Sequence, residues 1–540
     1  MRQTIICIVL LLCMEGVAQN FQWAADFGGS LSDGANSVTT DLAGNVYTTG
    51  FFNDTIDFDP GPGTFTLSSS YGSAFISKLD AYGNFVWAKS IDNLNSWSFT
   101  QGLGIAVGAL GSIYVTGSFS DAADFDPGTG VSTLTAYHPG VPDIFILKLN
   151  NAGNFIWARR MGGGMSGNMG FSVIADPSEN VYLTGCFSET SDFDPGTGTY
   201  NLTSTGGKDV FVTKMDSSGN FTWAYSFGNP GDDRGARIRL DQGNVYTTGE
   251  FSGDSYISKC NINGSQEWIK TLNLVSLISS FDINSQNEMY LFGSFQGTVD
   301  FDIGANINTL TSNGGSDIFV LKVDTGCNYI WAKSLGGTNN EGACSLEIGP
   351  NRNIYFAGTF NGNIDFDPGP GVVSVTDTVD GADGYICGLD SLGNFVEAKA
   401  FGSSGYLATP VWMDISPLGD IVVAGVFNGG MKFVLDNVVD SISSAGSDDA
   451  FVVSFGSSVN AMQTIQETRV KVFPNPTSKN IYFNTTRLAD VKILSQDGKT
   501  LIEKKNVKDL SLADLPNGIY FLIVHLPESG TTYTGKIIKN

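Results

Sequence analysis

One aromatic phrase returns seven times along the 540-residue chain: NFQWA at 20–24, NFVWA at 84–88, NFIWA at 154–158, NFTWA at 220–224, SQEWI at 265–269, NYIWA at 328–332 and NFVEA at 394–398. Its fourth position is Trp23, Trp87, Trp157, Trp223, Trp268, Trp331 and Glu397, at spacings of 64, 70, 66, 45, 63 and 66 residues. A second phrase keeps step with it, from GNVYTTGFF at 44 to GDIVVAGVF at 419, and a third follows each of these, from AFISKLD at 74 to DAFVVSF at 449. Apolar and polar residues alternate in these phrases, the period-2 mark of a strand. A recurrence on this scale requires a repeat architecture.

The shortest unit, from Trp223 to Trp268, reduces to TWAYSF, ARIRLD, NVYTTGEF and SYISKCN with only turns between. Four strands in about 45 residues is the size of one propeller blade. Such units cannot bury both faces alone, so they stack radially and close, leaving no sheet edge bare. The expected fold is all-β, a seven-bladed β-propeller followed by a small immunoglobulin-like β-sandwich. The first NFQWA precedes the first complete unit, and the last unit ends at FVVSF with no Trp phrase behind it. The strand from Asn20 is therefore expected to complete the seventh blade. Composition agrees: 67 glycines, 12% aromatic and only 15% charged residues suit short strands and tight turns better than a helical bundle.

These phrases resemble the β-propeller repeat family of secreted bacterial proteins, with its GNVYVTG-like and DxFxxKxDxxGN-like signatures. The resemblance covers residues 20–455 and implies a fold without implying one activity. The seventh unit departs most, with Glu397 for Trp and Val422 for Tyr.

Between residues 20 and 470 there are 18 Lys+Arg and 47 Asp+Glu, a net charge of −29, whereas residues 471–540 carry +4. A body this acidic repels phosphate backbones, so nucleic acid is excluded as a partner, and a cation or a neutral or basic polymer fits better. Residues 1–18, with Arg2, an apolar run from Ile5 to Cys13, and Gly16 and Ala18 at the exit, read as a secretory signal peptide. No other apolar stretch is long enough to span a bilayer, so no transmembrane segment is expected in the mature chain. Five cysteines remain, Cys186, Cys260, Cys327, Cys344 and Cys387; their positions suggest isolated core thiols, with Cys327 to Cys344 the only pair worth considering.

Five units carry an insertion, DFDPG at 57, 124, 192 and 365 and DFDIG at 300. Asp57 and Asp59, Asp124 and Asp126, Asp192 and Asp194, Asp300 and Asp302, and Asp365 and Asp367 place hard oxygen donors at i and i+2, which makes calcium the candidate ion. Two carboxylates cannot fill six to eight coordination positions, and a turn in which Phe58, Phe125, Phe193, Phe301 and Phe366 plug the core while Asp accepts backbone hydrogen bonds is the preferred reading. The GN turns faintly resemble sialidase-like aspartate boxes, but the ring's arginines, Arg159, Arg160, Arg234, Arg237, Arg239 and Arg352, are confined largely to two places. Only His138 and His525 supply imidazole, and no nucleophile elbow, phosphate loop or HExxH motif occurs, so no catalytic residue is assigned. The Trp phrases suit inter-blade packing better than sugar stacking.

After the connector 456–469, the segments KVFPNPT, NIYFN, VKILSQDGKTLIE, LPNGIYFLIV and TGKIIKN form short alternating strands with Asp-Gly and Asn-Gly turns. Residues 470–540 closely resemble the type A C-terminal sorting domain of the type IX, or Por, secretion system, through Pro474, Asn475 and Pro476, Gly518 and Tyr520, and Gly535, Lys536 and Lys539. The resemblance implies the type IX translocon as partner and a secreted or outer-surface location. The expected organisation is a signal peptide at 1–18, a propeller at 19–455, a linker at 456–469 and a sorting domain at 470–540. The expected function is a monomeric binding or adhesion module for a glycan or protein ligand; a carbohydrate-active enzyme (polysaccharide lyase or hydrolase) using propeller carboxylates and a structural envelope protein are the alternatives.

Overall fold

The computed structural model describes residues 19–95, 98–272, 278–304, 306–377, 381–403, 407–435, 438–457, 472–473, 479–483, 489–495, 500–526 and 531–539. The chain divides into two compact units, Met1–Ser458 and Val459–Asn540. All regular elements among the described residues are strands.

The first unit is a β-propeller built from antiparallel sheets that share a four-strand core; in three of them a further hairpin extends the hydrogen-bonded sheet to six strands. Sheet one comprises Gly34–Thr40, Val46–Asp57, Thr66–Leu79 and Phe85–Asn93; sheet two Thr100–Val107, Ile113–Phe119, Asp143–Leu149 and Phe155–Met161; sheet three Met169–Ala175, Val181–Asp192, Asn201–Met215 and Phe221–Phe227. Sheet four comprises Asp233–Asp241, Asn244–Phe251, Asp254–Asn261 and Gln266–Leu272; sheet five Ile278–Ile283, Glu288–Asp300, Thr309–Asp324 and Tyr329–Gly337; sheet six Glu341–Ile348, Ile354–Phe360, Asp383–Leu389 and Phe395–Ser403. The remaining sheet, here sheet seven, takes Leu407–Ile415, Ile421–Asn428 and Asp449–Ser457 from the end of the ring and Gln19–Phe27 from its beginning. The first strands of these sheets touch in chain order, and that of sheet seven returns to that of sheet one. The expected closure is therefore present: Gln19–Phe27 pairs antiparallel with Asp449–Ser457, from Gln19 opposite Ser457 to Phe27 opposite Ala450.

The recurring phrases are one cross-strand ladder seen along the chain. Tyr47 lies opposite Lys78, and Lys78 opposite Trp87. Tyr114, Lys148 and Trp157, Tyr182, Lys214 and Trp223, Tyr246, Lys259 and Trp268, and Tyr290, Lys322 and Trp331 repeat the register. Each Lys ammonium sits 4.8–5.8 Å from the centre of its Tyr ring, so the alkyl stem is covered and the charge meets a π-face.

The Trp also joins neighbouring sheets. Trp23 Nε1 donates to Ala81 O, Trp87 to Asn151 O, Trp157 to Ser217 O and Trp223 to Ile262 O, in each case a carbonyl in the turn joining the third and fourth strands of the next sheet. The ring lies over the glycine of that turn: a Cβ on Gly83, at φ +79°, would fall 2.6 Å from Trp23. In sheet seven the third and fourth strands come from opposite ends of the ring, so no such turn exists for sheet six to clasp. Glu397 stands where the Trp of sheet six would be.

Three of the Asp-Phe-Asp insertions pair with the end of the preceding sheet. Asp124 pairs with Asp92 at the end of sheet one, Asp192 with Gly162 of the preceding unit, and Asp365 with Gly336 of sheet five. Phe58, Phe125, Phe193, Phe301 and Phe366 are all fully buried. Phe58 stacks on Phe27 of the closing strand with ring centres 5.4 Å apart, inside a cluster drawn from sheets seven and one.

In the second unit, Val472–Phe473, Asn480–Phe483 and Asp509–Ser511 form one sheet, and Thr500–Val507, Ala489–Leu494, Gly518–Leu526 and Thr531–Lys539 another. Ile481 and Leu510 of the first share an apolar cluster with Val491, Ile493, Leu522 and Val524 of the second.

Candidate ligand cup on the ring axis

Each first strand of the ring carries a β-bulge at the same level. The register breaks between Ala35 and Ser37, Gly102 and Gly104, Gly170 and Ser172, Gly235 and Arg237, Ile278 and Ser280, Ala343 and Ser345, and Pro410 and Trp412. A bulge inserts an unpaired residue and re-aims its side chain. The inserted residues Asn36, Leu103, Phe171, Ala236, Ser279, Cys344 and Val411 together line a cavity of about 290 Å³ on the axis. Its wall is apolar around Leu103, Phe171, Ala236 and Val411 and polar at Asn36, Ser279 and Cys344. Arg234 and Glu250, paired at 3.0 Å, also line it.

One residue further along, the strands hold Ser37, Gly104, Ser172, Ser280 and Ser345, whose small size lets adjacent strands approach. Ser37 Oγ accepts from Ile105 N and Ser172 Oγ from Ile238 N, while Ser280 donates to Leu346 O. Sheets four and seven break the pattern with Arg237 and Trp412. The guanidinium lies over the indole at 3.1 Å from the ring centre and donates to Ser279 O, Cys344 O and Ser345 Oγ, so the two large side chains line the cup where the other sheets have small ones. Arg237 is 3% exposed, and its Nη1 has no hydrogen-bond partner. Burial, then the charge of Arg239, pulls its pKa down.

Two residues beyond come Thr39, Ala106, Ile174, Arg239, Asp282, Glu347 and Asp414, so charge is confined to sheets four to seven. Arg239 pairs with Asp282 Oδ1 at 3.4 Å and with Glu347 Oε1. Asp282 Oδ2 also accepts from Ile348 N at 3.0 Å, and Asp414 Oδ2 accepts from Thr40 N and Oγ1 at 2.6 and 2.9 Å. Burial opposes the charge of Arg239, but Glu347, Asp282 and Asp414 outweigh it and hold the guanidinium protonated. Burial raises Glu347 and Asp414, with Arg239 acting against it in both. Every carboxylate in this layer is committed to a partner.

Apart from the arginines and Cys344, none of these residues stands out in the local sequence. The first strands share no spoken phrase, and only their alignment at the bulge shows that Arg237 and Trp412 stand where serine or glycine is usual.

The insertion carboxylates are turn acceptors. Asp57 Oδ1 takes Asp59 N and Phe65 N at 3.1 and 2.7 Å, and Asp59 Oδ1 takes Gly61 N at 2.8 Å. Asp124 and Asp126, Asp192 and Asp194, Asp300 and Asp302, and Asp365 and Asp367 do the same. Among the described residues no three His, Cys, Asp or Glu side chains gather as a metal site. His138 Nε2 lies 3.0 Å from Gly163 O in a loop, away from the axial residues. The five cysteines of the ring are free thiols, so Cys327 and Cys344 are not joined.

Of the sorting-signal residues, Gly518 pairs with Lys539 and Tyr520 with Ile537, while Gly535 and Lys536 pair with Leu522 and Phe521. Tyr520 Oη donates to Pro516 O at 2.7 Å, and Lys539 Nζ to Asn517 Oδ1 at 3.4 Å. These contacts tie the last strand to the LPNG turn. Pro474, Asn475 and Pro476 lie outside the described residues, as do residues 1–18 with the expected signal peptide. No helix among the described residues is long and apolar enough to cross a membrane.

Comparison with known proteins finds similarity in both units. An uncharacterized WD repeat-containing protein of Acanthamoeba polyphaga mimivirus is 25% identical over 399 residues, which is 63% of this chain and 26% of that protein, about a quarter of the relative's length. Among solved structures, an apocarotenoid oxygenase mutant from Synechocystis aligns at 10% identity over 76% of this chain and 88% of its own, with a TM-score of 0.35. The extracellular domain of a B. thetaiotaomicron protein aligns at 10% identity over 94% of this chain and 86% of its own, with a TM-score of 0.23. Residues 471–540 match the secretion system C-terminal sorting domain. The match implies export by type IX secretion to the cell surface or beyond and an interaction with that machinery; the chain is a β-propeller whose C-terminal residues are similar to this sorting domain.

Proposed function

We propose that the protein is a secreted, monomeric binding or adhesion module: a seven-bladed propeller at 19–455, delivered by a signal peptide at 1–18 and by an immunoglobulin-like sorting sandwich at 470–540 joined through the linker 456–469. One observation carries the binding reading. The ladder and the clasps recur from sheet to sheet, whereas the bulge residues that line the axial cup differ in every sheet. A rigid scaffold with a varied concave lining is how binding sites are made on repeat folds.

The enzyme reading needs a pair of carboxylates free to act as acid and base. Asp282, Glu347 and Asp414 are instead held by Arg239, Ile348 N and Thr40, which favours binding without bond cleavage. The Asp-Phe-Asp hairpins act as turns in this reading, and calcium is not required for their geometry. A glycan and polysaccharide array probed with the purified protein, with reducing ends assayed in parallel, tests the proposal. Retention on the array without new reducing ends is expected; release of reducing ends from any retained polymer would overturn it in favour of the enzyme.

A further inference from the structure

We propose that the axial cup binds the carboxylate of a small organic acid, with Arg237 as its receptor and the body of the acid against Trp412 and the apolar wall. The inference deepens the binding-module reading and rests on it.

Among the described residues Arg237 is a buried cation of the axis with no carboxylate in direct contact; Glu347, bound to Arg239, acts on it only from beyond ion-pair distance. Arg239, one layer away, has Asp282 and Glu347. Arg237 makes no ion pair among the described residues, and its hydrogen bonds go to two carbonyls and a hydroxyl at 3.2–3.5 Å. A buried charge with no carboxylate in contact is only partly compensated, and a cost retained at the wall of a cavity is recovered when an anion arrives. The planar guanidinium, held over the Trp412 ring, matches a carboxylate better than a spherical ion. The neighbouring Leu103, Phe171 and Val411 give no hydrogen bonds from their side chains, so the rest of the ligand must be content with apolar contact and with the few polar groups of the opposite wall. The acidic body repels anions in general, so retention must come from this contact and not from long-range attraction.

A carboxylate could be carried by an apolar acid or by a sugar acid, and two probes separate them. Calorimetry on the purified full chain would compare phenylacetate with phenylacetamide, and glucuronate with glucose. One acid is expected to bind saturably, with its neutral counterpart at least about tenfold weaker, the smallest change expected from losing a charge-assisted bond. Arg237→Gln should remove the binding. Ala236→Trp, which fills the cup and keeps the arginine, should remove it too and decides the matter if Arg237→Gln does not fold. No saturable binding of either acid, equal binding of acid and neutral analogue, or parent affinity in the folded variants would overturn the proposal. Array binding that persists without acid uptake would sink the cup alone, whereas an acid-filled cup with a silent array would sink the broader adhesion reading.

Discussion

Replacing Phe27 by alanine tests whether ring closure by the N-terminal strand holds the propeller together. Phe27 is 1% exposed, stacks on Phe58 at 5.4 Å and meets Phe75 edge-on at 6.3 Å, so its ring is shared by sheets seven and one. Truncating a buried Phe to Ala costs about 3–5 kcal/mol. Unfolding entropy is about 2.1 cal/mol/K per residue, or about 0.9 kcal/mol/K for a ring of roughly 440 residues that melts as one body. The midpoint of a calorimetric scan should therefore fall by about 3–6 °C, read at one scan rate because a chain of this size need not refold. Val86→Ala, on the same kind of strand but 44% exposed, should move it by less than about 1 °C. Deleting residues 19–28 removes the whole strand and bares the Asp449–Ser457 edge, so cooperative melting should be lost. A parent-like midpoint in Phe27→Ala, or in the deletion, would refute the claim that closure carries the ring.

Gly83 and Gly243 adopt nearly the same left-handed backbone, φ +79° and +78°, but only Gly83 is covered by a Trp. Gly243→Ala should cost about 1–2 kcal/mol from the backbone alone and Gly83→Ala about 1–3 kcal/mol more from the clash with Trp23; equal losses in denaturant titration would mean the clasp contributes nothing. Glu341 is pushed up to about 7 by burial, with the Gly337 N–H acting against it and Asp317 adding to it. A folded pKa above the unfolded value of 4.5 favours the protonated native state, so stability is full below about pH 4.5 and is lost as pH rises through about 7, a window clear of the turn aspartates with lowered pKa, such as Asp80 and Asp390. Glu341→Gln should thus melt higher than the parent at pH 8 and close to it at pH 4.5; an offset that does not change with pH would contradict this. Fusing residues 456–540 to a reporter in a host with type IX secretion should send the reporter past the outer membrane, and retention in the periplasm would count against the sorting assignment.

The strands, and the closing of the ring by the first of them, were legible because each strand recurs in a phrase with its own spacing: Tyr47, Lys78 and Trp87 are far apart in the chain yet one ladder in the sheet. The cup was not legible, and the reason is geometric. A bulge shifts pairing by one residue, so Asn36, Leu103 and Phe171 break the period-2 pattern that marks their neighbours and share no residue type by which to be found. What a reader of the sequence can use is the exception. Glu397 looks like decay of the Trp phrase until the ring is closed; then it marks the one sheet whose neighbour has no turn to clasp. Arg237 and Arg239 are merely two of a local group of arginines until the first strands are aligned at the bulge, when they fall at two levels of the axis: serine or glycine holds the first in every other sheet but sheet seven, and Thr39, Ala106 and Ile174 hold the second in sheets one to three. Repeated positions in a ring are set by the packing every sheet must satisfy, so they report stability. Departures arise where one sheet meets something the others do not, a chain end at Glu397 and an unpaired charge facing a cavity at Arg237, and it is at the second of these that chemistry should be sought.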